Sequence, residues 1–225
     1  MGTERNIAPP APCCVILGAG DILDYKAVAR RIPAGSFILC ADGGLAHCGP
    51  LGLSPDLLVG DLDSVQDPPE GIAKVTCDAV DKDHTDTALA VEEAVSRGFR
   101  RLLLCGMLGG RLDHSLANLQ ILGWCAARGL DAFMTDGVTD IYPLATGAAA
   151  IAHLVLEPRD RCYFSLLSLV DACEGVTITG GKYPLTEYPL SSLESPRAIS
   201  NEFVGAPVRV TLRAGSLLVI VTPIR

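Results

Sequence analysis

The sequence lacks several features, and each absence narrows what the chain does. Although 49% of its 225 residues are hydrophobic, no run approaches the roughly 18 consecutive apolar residues that cross a bilayer. The first twelve residues, with Pro9, Pro10 and Pro12, have neither the basic start nor the apolar centre of a secretion signal. A cytoplasmic protein is expected. There is no C-x-x-C pair among the nine cysteines, which argues against a structural zinc site. Cys40, Cys105 and Cys125 lie inside apolar runs instead, where a free thiol behaves as a small hydrophobe. Basic patches are missing too: the net charge is −8, which speaks against a broad nucleic-acid surface. The G-x-x-x-x-G-K-[ST] phosphate loop is absent. No internal repeat or low-complexity segment is present.

What the chain does have is a series of acidic clusters, each placed where an apolar run stops. They are Ala41-Asp42-Gly43-Gly44, Gly60-Asp61-Leu62-Asp63-Ser64, Asp81-Lys82-Asp83-His84-Thr85-Asp86 and Gly109-Gly110-Arg111-Leu112-Asp113-His114. Gathered carboxylates repel one another unless a cation sits among them. Ligands of parallel α/β sheets bind at the carboxyl ends of the strands, so four such clusters can converge on one site. Hard divalent ions take carboxylate and phosphate oxygens. Mg-nucleotide chemistry is the expectation.

Up to about Ala145 short apolar runs alternate with segments of helical period, the pattern of strands joined by crossover helices. The expected strands are Cys13–Leu17, Phe37–Ala41, Leu57–Val59, Ala73–Cys77, Arg101–Cys105 and Ala132–Thr135; the clearest helices are Thr85–Arg97 and Leu112–Arg128. In the latter, Leu112, Leu116, Leu119, Gly123 and Ala126 fall on one face. After Thr146-Gly147 the runs become short and β-rich: Ile151–Leu156, Cys162–Leu169, Gly175–Thr179, Lys182–Leu185, Pro207–Leu212 and Ser216–Val221. The expected fold is α/β, with a Rossmann-like, doubly wound domain over residues 1–147 and an all-β sandwich over 148–225.

Gly18-Ala19-Gly20 is open to two readings, a tight turn after a strand or a loop beside a nucleotide; the third glycine of a dinucleotide fingerprint is replaced by Leu23. Asp42, followed by two glycines, offers a carboxylate beside amides that phosphate or ribose can approach. Asp61 and Asp63 share one turn. Asp86 opens a helix that Thr85 can cap, and Asp81 and Asp83 crowd it more than capping requires. Arg111 can grip phosphate oxygens with two parallel hydrogen bonds.

Taken in order, the four acidic clusters resemble the thiamin pyrophosphokinase (thiamine diphosphokinase) family. Gly181-Lys182-Tyr183-Pro184-Leu185 and Ile199-Ser200-Asn201-Glu202-Phe203 resemble its bacterial members. The resemblance implies transfer of a diphosphoryl group from ATP to the hydroxyethyl oxygen of thiamine, giving thiamine diphosphate and AMP. It also implies a homodimer with thiamine bound between subunits. On matching positions Asp61, Asp63 and Asp86 would hold Mg²⁺, and Asp42 would lie beside the reacting groups. Arg111, Asp113, Gly43, Gly44, Asp83, Thr85 and His114 would serve the nucleotide. Ser200 and Asn201 would hold thiamine, together with Lys82, which stands where animal members carry Gln.

Other readings compete. Leu57–Val65 also resembles the D-x-D-x-[TV] nucleophile motif of haloacid-dehalogenase-type phosphatases, although that motif normally ends the first strand of its fold. A pyrophosphokinase acting on a pterin alcohol is closer in chemistry. A non-catalytic sensor of nucleotide or thiamine is the third, against which stand so many retained like charges.

Overall fold

The structure is a computed structural model, described here for residues 12–60, 71–75, 85–147, 151–194 and 197–224. It contains two compact units. One holds Pro10–Ile121 and Asp131–Val138, and the other Leu122–Leu130 and Thr139–Arg225.

The first unit is built on parallel strands: β1 (Cys13–Leu17), β2 (Phe37–Ala41), β3 (Leu57–Val59), β4 (Ala73–Val75), β5 (Arg101–Cys105) and β6 (Asp131–Thr135). They lie side by side in the order β6, β5, β1, β2, β3, β4. Every β1 residue is buried, as expected for a central strand covered on both faces. Helix α1 (Tyr25–Arg31) starts on Asp24, whose Oδ1 accepts from Ala27 N at 2.9 Å. Residues Asp42–His47 form a 3-10 helix that runs into the short α2 (Cys48–Leu51), closed by Gly52 in a left-handed conformation. Helix α3 (Asp86–Ser96) follows Thr85, whose hydroxyl accepts from Ala88 N at 3.2 Å. Helix α4 (Leu112–Ala127) continues from the first unit into the second.

The register decides where the loops emerge. Leu17 pairs with both Cys40 and Cys105, and Ala41 pairs with Val59. The segments after β1, β2, β3 and β5 therefore leave the sheet along one edge. The chain passes from β1 outward to β4, then returns to β5 on the other side of β1. The β1/β5 junction is thus a topological switch point, the place where open sheets of this kind bind ligands.

Along α4, Leu112 and Leu116 in the first turns are 73% and 53% exposed, whereas Asn118, Leu122 and Cys125 are buried. Asn118 donates its Nδ2 to the Met107 carbonyl at 2.8 Å, so a polar side chain holds the helix against the loop after β5. The last described strand before the expected boundary at residue 147, β7 (Asp140–Ala145), pairs along its length with β14 (Ser216–Pro223) and sits in the second unit.

The second unit also contains β8 (Ala152–Leu156), β9 (Cys162–Ser168), β10 (Ala172–Thr179), β11 (Leu185–Ser191), β12 (Asn201–Glu202) and β13 (Val208–Leu212). One antiparallel set runs β12, β9, β14, β7 and the other β11, β10, β13, β8. Phe164, Leu166, Leu217 and Val219 from the first set and Leu154, Val176, Ile178 and Val210 from the second share one apolar core. A buried ion pair borders it: Arg159 donates to Asp140 Oδ2 at 2.5 Å and to Tyr142 Oη at 3.0 Å, and Asp140 has no exposed side-chain surface.

The cysteines among the described residues are free thiols, all buried except the half-buried Cys162. Burial pushes the thiols of Cys14 and Cys125 up to about 12, so they stay protonated and serve as apolar filling. No helix among the described residues is long and apolar enough to cross a membrane.

Candidate active site

Main-chain atoms form the floor of the edge where the loops emerge. The segment after β1 is tied to the segment after β5: Gly18 N donates to Cys105 O at 2.9 Å, Gly20 N to Gly106 O at 2.7 Å and Asp21 N to Leu108 O at 2.6 Å. These amides are spent on protein carbonyls. Gly18-Ala19-Gly20 is a tight turn closed onto the segment after β5. Its glycines are needed because a Cβ at Gly18 would run into the Gly106 carbonyl and one at Gly20 into the main chain of 106–108; a Cβ at Gly44, after β2, would run into the Leu17 carbonyl.

Above this floor stand the acids. Asp42 is half-buried and has φ +47, a left-handed conformation that non-glycine residues seldom adopt. Such strain persists where the surroundings over-determine the backbone, and it concentrates at functional positions. Gly60, the last described residue after β3, brings the second acid into place. A Cβ built on it would lie 3.2 Å from Asp86 Oδ1 and 3.4 Å from Asp42 N. The end of β2, the end of β3 and the start of α3 thus meet around one small residue, with the Asp86 carboxylate facing the point from which Asp61 and Asp63 continue. Asp61, Asp63, Lys82 and Asp83 lie outside the described residues. Among the described residues no three His, Cys, Asp or Glu side chains gather on one point. Asp86 and the two acids that follow Gly60 in sequence are all-oxygen donors, the set that suits a hard divalent cation. The Thr85 hydroxyl caps α3.

Arg111, Asp113 and His114 open α4 at the same sheet edge, just past β5. Arg111 Nε and Nη2 donate to Asp113 Oδ1 and Oδ2 at 3.1 and 2.6 Å, and His114 N donates to Asp113 Oδ1 at 3.0 Å. The hydrogen bond from Arg111, with His114 N assisting, holds the Asp113 carboxyl down at about 2. The pair is 71% and 64% exposed, and such surface pairs add little to stability. What it does is hold a guanidinium fork out in solvent, oriented. The Asp21 carboxylate packs against Gly109, whose φ is +90.

In the other unit, Ser200 is exposed with φ +58, and its amide donates to Ser165 Oγ at 2.9 Å. Asn201 is buried, and most of its amide is engaged within the unit. Oδ1 accepts from Tyr183 N and Glu202 N, both at 2.9 Å, and Nδ2 donates to Tyr183 O at 2.7 Å. Asn201 therefore braces the turn Gly181-Lys182-Tyr183. Asn201→Ala should cost about 1–3 kcal/mol of stability by taking the partner from main-chain groups of that turn. Thermal melting checks it.

Sequence reasoning missed His47 and Tyr25. Each is unremarkable alone, and only the fold brings them together, with Tyr25 Oη 2.8 Å from His47 Nδ1.

The thiamin pyrophosphokinase catalytic domain matches residues 29–134, and the family's vitamin B1 binding domain matches residues 152–217. Between them they span most of the chain, in the family's order. The chain belongs to the thiamin pyrophosphokinase family. It is an enzyme of that type. The thiamine pyrophosphokinase of Bacillus subtilis is 26% identical to it over 174 residues, covering 75% of this chain and 79% of that protein. The crystal structure of thiamine pyrophosphokinase from Bacillus subtilis superposes with a TM-score of 0.80 at 21% identity, covering 95% of this chain and 99% of that one. Yeast thiamin pyrophosphokinase gives a TM-score of 0.74 at 16% identity, covering 98% and 90%; these two likenesses bear on the fold alone. Membership in this family favours its reading over the phosphatase, the pterin pyrophosphokinase and the sensor.

Proposed function

We propose that the acids at the sheet edge and the Arg111 fork catalyse Mg²⁺-dependent transfer of the diphosphoryl group of ATP to the hydroxyl of thiamine, giving thiamine diphosphate and AMP. The observation that carries this reading is the meeting of Asp42, Gly60 and Asp86 around one point. Asp86, with Asp61 and Asp63, would hold the Mg²⁺, which when bound neutralises charge on the phosphate oxygens. Asp42 stands beside the reacting groups. The attacking group is a primary alcohol that loses its proton as it meets the β-phosphorus, and Asp42 and Asp86 are the carboxylates placed to take it. Gly43 and Gly44, with Asp83, Thr85 and His114, line the nucleotide side, where Asp113 aims Arg111 at the phosphates.

In this reading the parallel unit is the Rossmann-like, doubly wound catalytic part. The β-rich unit is a sandwich that binds thiamine through Ser200, the turn braced by Asn201, and Lys82 from the other part of the chain. The enzyme is a cytoplasmic homodimer with sites shared between subunits. Incubation with Mg-ATP and thiamine, followed by mass analysis, tests the activity: AMP and thiamine diphosphate should appear in equal amounts. ADP, or inorganic phosphate from an aspartyl-phosphate enzyme, would overturn it.

Arg111→Lys should lower kcat about 100-fold despite keeping the charge, because a point-like ammonium cannot replace a planar two-bond contact with phosphate. Unchanged steady-state rates would make Arg111 a surface residue. The pH dependence follows from the Asp113 carboxyl, whose value falls from 3.8 to about 2 in the fold. A depressed carboxyl pKa favours the folded arrangement above the unfolded value and loses that contribution as pH drops toward the folded one. The pair is therefore intact above about pH 4, and the acid limb of the rate profile should be the same in wild type and Asp113→Asn.

A further inference from the structure

His47 ends the 3-10 segment that Asp42 begins, and the residue is buried, 8% exposed. Nε2 lies 2.9 Å from Gly20 O in the β1 turn, and Nδ1 lies 2.8 Å from Tyr25 Oη at the start of α1. A carbonyl only accepts, so Nε2 carries the proton and donates it. In the neutral ring the Tyr25 hydroxyl then donates to Nδ1. The ring also lies flush on the β5 loop, since a Cβ on Gly106 would sit 3.0 Å from Nε2 and 3.1 Å from Cδ2. One imidazole thus touches the segment after β1, the segment after β5 and helix α1, while its own backbone belongs to the segment after β2.

We propose that His47 is a positioning residue for the Asp42 carboxylate. The argument rests on the reading that Asp42 acts beside the reacting groups. Asp42 keeps a left-handed backbone only if the residues after it have no freedom to relax. Gly44 is seated against the Leu17 carbonyl, and His47 pins the end of the segment by two hydrogen bonds in opposite directions. Releasing that end lets the 42–47 segment unwind toward ordinary conformations, and the carboxylate moves with it. A displacement of about 1 Å at a reacting group costs on the order of 100-fold in rate.

The test compares His47→Leu, His47→Gln and Tyr25→Phe with Asp42→Asn, measuring kcat, the KM for ATP and for thiamine, and thermal melting, with rates taken well below each midpoint. Gln can place an N–H near the position of Nε2 and so restore the bond to Gly20 O. His47→Leu should lose about 10- to 100-fold in kcat with both KM values within about threefold of wild type. His47→Gln should recover most of that loss, and Tyr25→Phe should fall between the two. The proposal is overturned if folded His47→Leu keeps kcat within about twofold, or if His47→Gln is no better than His47→Leu. Should His47→Leu not fold, Tyr25→Phe decides, because it deletes one hydroxyl: wild-type kcat there overturns the proposal and a reduced kcat at unchanged KM supports it. Asp42→Asn separates the two levels. Wild-type turnover in that variant overturns the role of Asp42 and the positioning role with it, whereas an inactive Asp42→Asn beside a fully active His47→Leu overturns the positioning role alone.

Discussion

Asp86→Asn is expected to lower kcat by about 100-fold or more while leaving the protein folded. The substitution removes a formal charge and keeps the size of the side chain, so the approach of α3 to Gly60 and Asp42 is preserved. Helix α3 is capped by Thr85, not by Asp86, which leaves its start intact. The loss of a favourable charge in the first turn costs only about 0.3–1 kcal/mol. Fold and function therefore separate in this variant. Its melting curve should nearly overlay that of wild type, and raising Mg²⁺ should recover part of the rate if the carboxylate is a metal ligand. Near-normal turnover at limiting Mg²⁺ would remove Asp86 from the site.

The largest effect on stability should come from the β-rich unit, at two residues that motif reading does not select. Arg159→Met takes the guanidinium from Asp140, which has no exposed side-chain surface. Breaking a buried pair by removing one partner costs about 3–5 kcal/mol, because the remaining charge stays in a poor solvent. For a chain of this size that corresponds to a fall of about 6–20 °C in the melting midpoint. Arg159→Met combined with Asp140→Leu should recover much of the loss, since an apolar pair of similar volume carries no desolvation penalty. Denaturation by heat or urea measures all three variants. A loss below about 1 kcal/mol in the single variant would show that the pair behaves like one on the surface.

The parallel strands were legible where a short apolar run is stopped by Gly or Asp, as in Cys13–Leu17 before Gly18 and Leu57–Val59 before Gly60. The acids were legible for the same reason: they stand where those runs end. Other elements were hidden by residues that argue locally against them. Pro143 lies inside β7 opposite Leu218, and proline inside a run demotes a strand assignment. Strand β11 carries Pro189, and Glu187 at φ +48, and its pairing with β10 shifts register twice. The burial of Asn118 in α4 was not legible either, because it rests on its amide finding the Met107 carbonyl eleven residues away in sequence. A motif likewise marks Asn201 without showing that its side chain is hydrogen-bonded to Tyr183 on the facing turn. The His47 contacts with Tyr25 and Gly20 join segments 22 and 27 residues apart, a relation that no local pattern encodes.

The main-chain floor beneath the acids bears on how this enzyme can diversify. At positions 18, 20, 44 and 106 a side chain would collide with neighbouring main chain, so natural drift or a mutant library has almost no viable steps there. Arg111 to His114 stand out in solvent, as does Asp21 beside Gly109, and substitution at those places leaves the floor undisturbed. On the proposed assignment of Arg111, Asp113 and His114 to the nucleotide, heritable change in nucleotide preference is channelled to the rim, where variation is cheap, while the floor stays frozen from one descendant to the next.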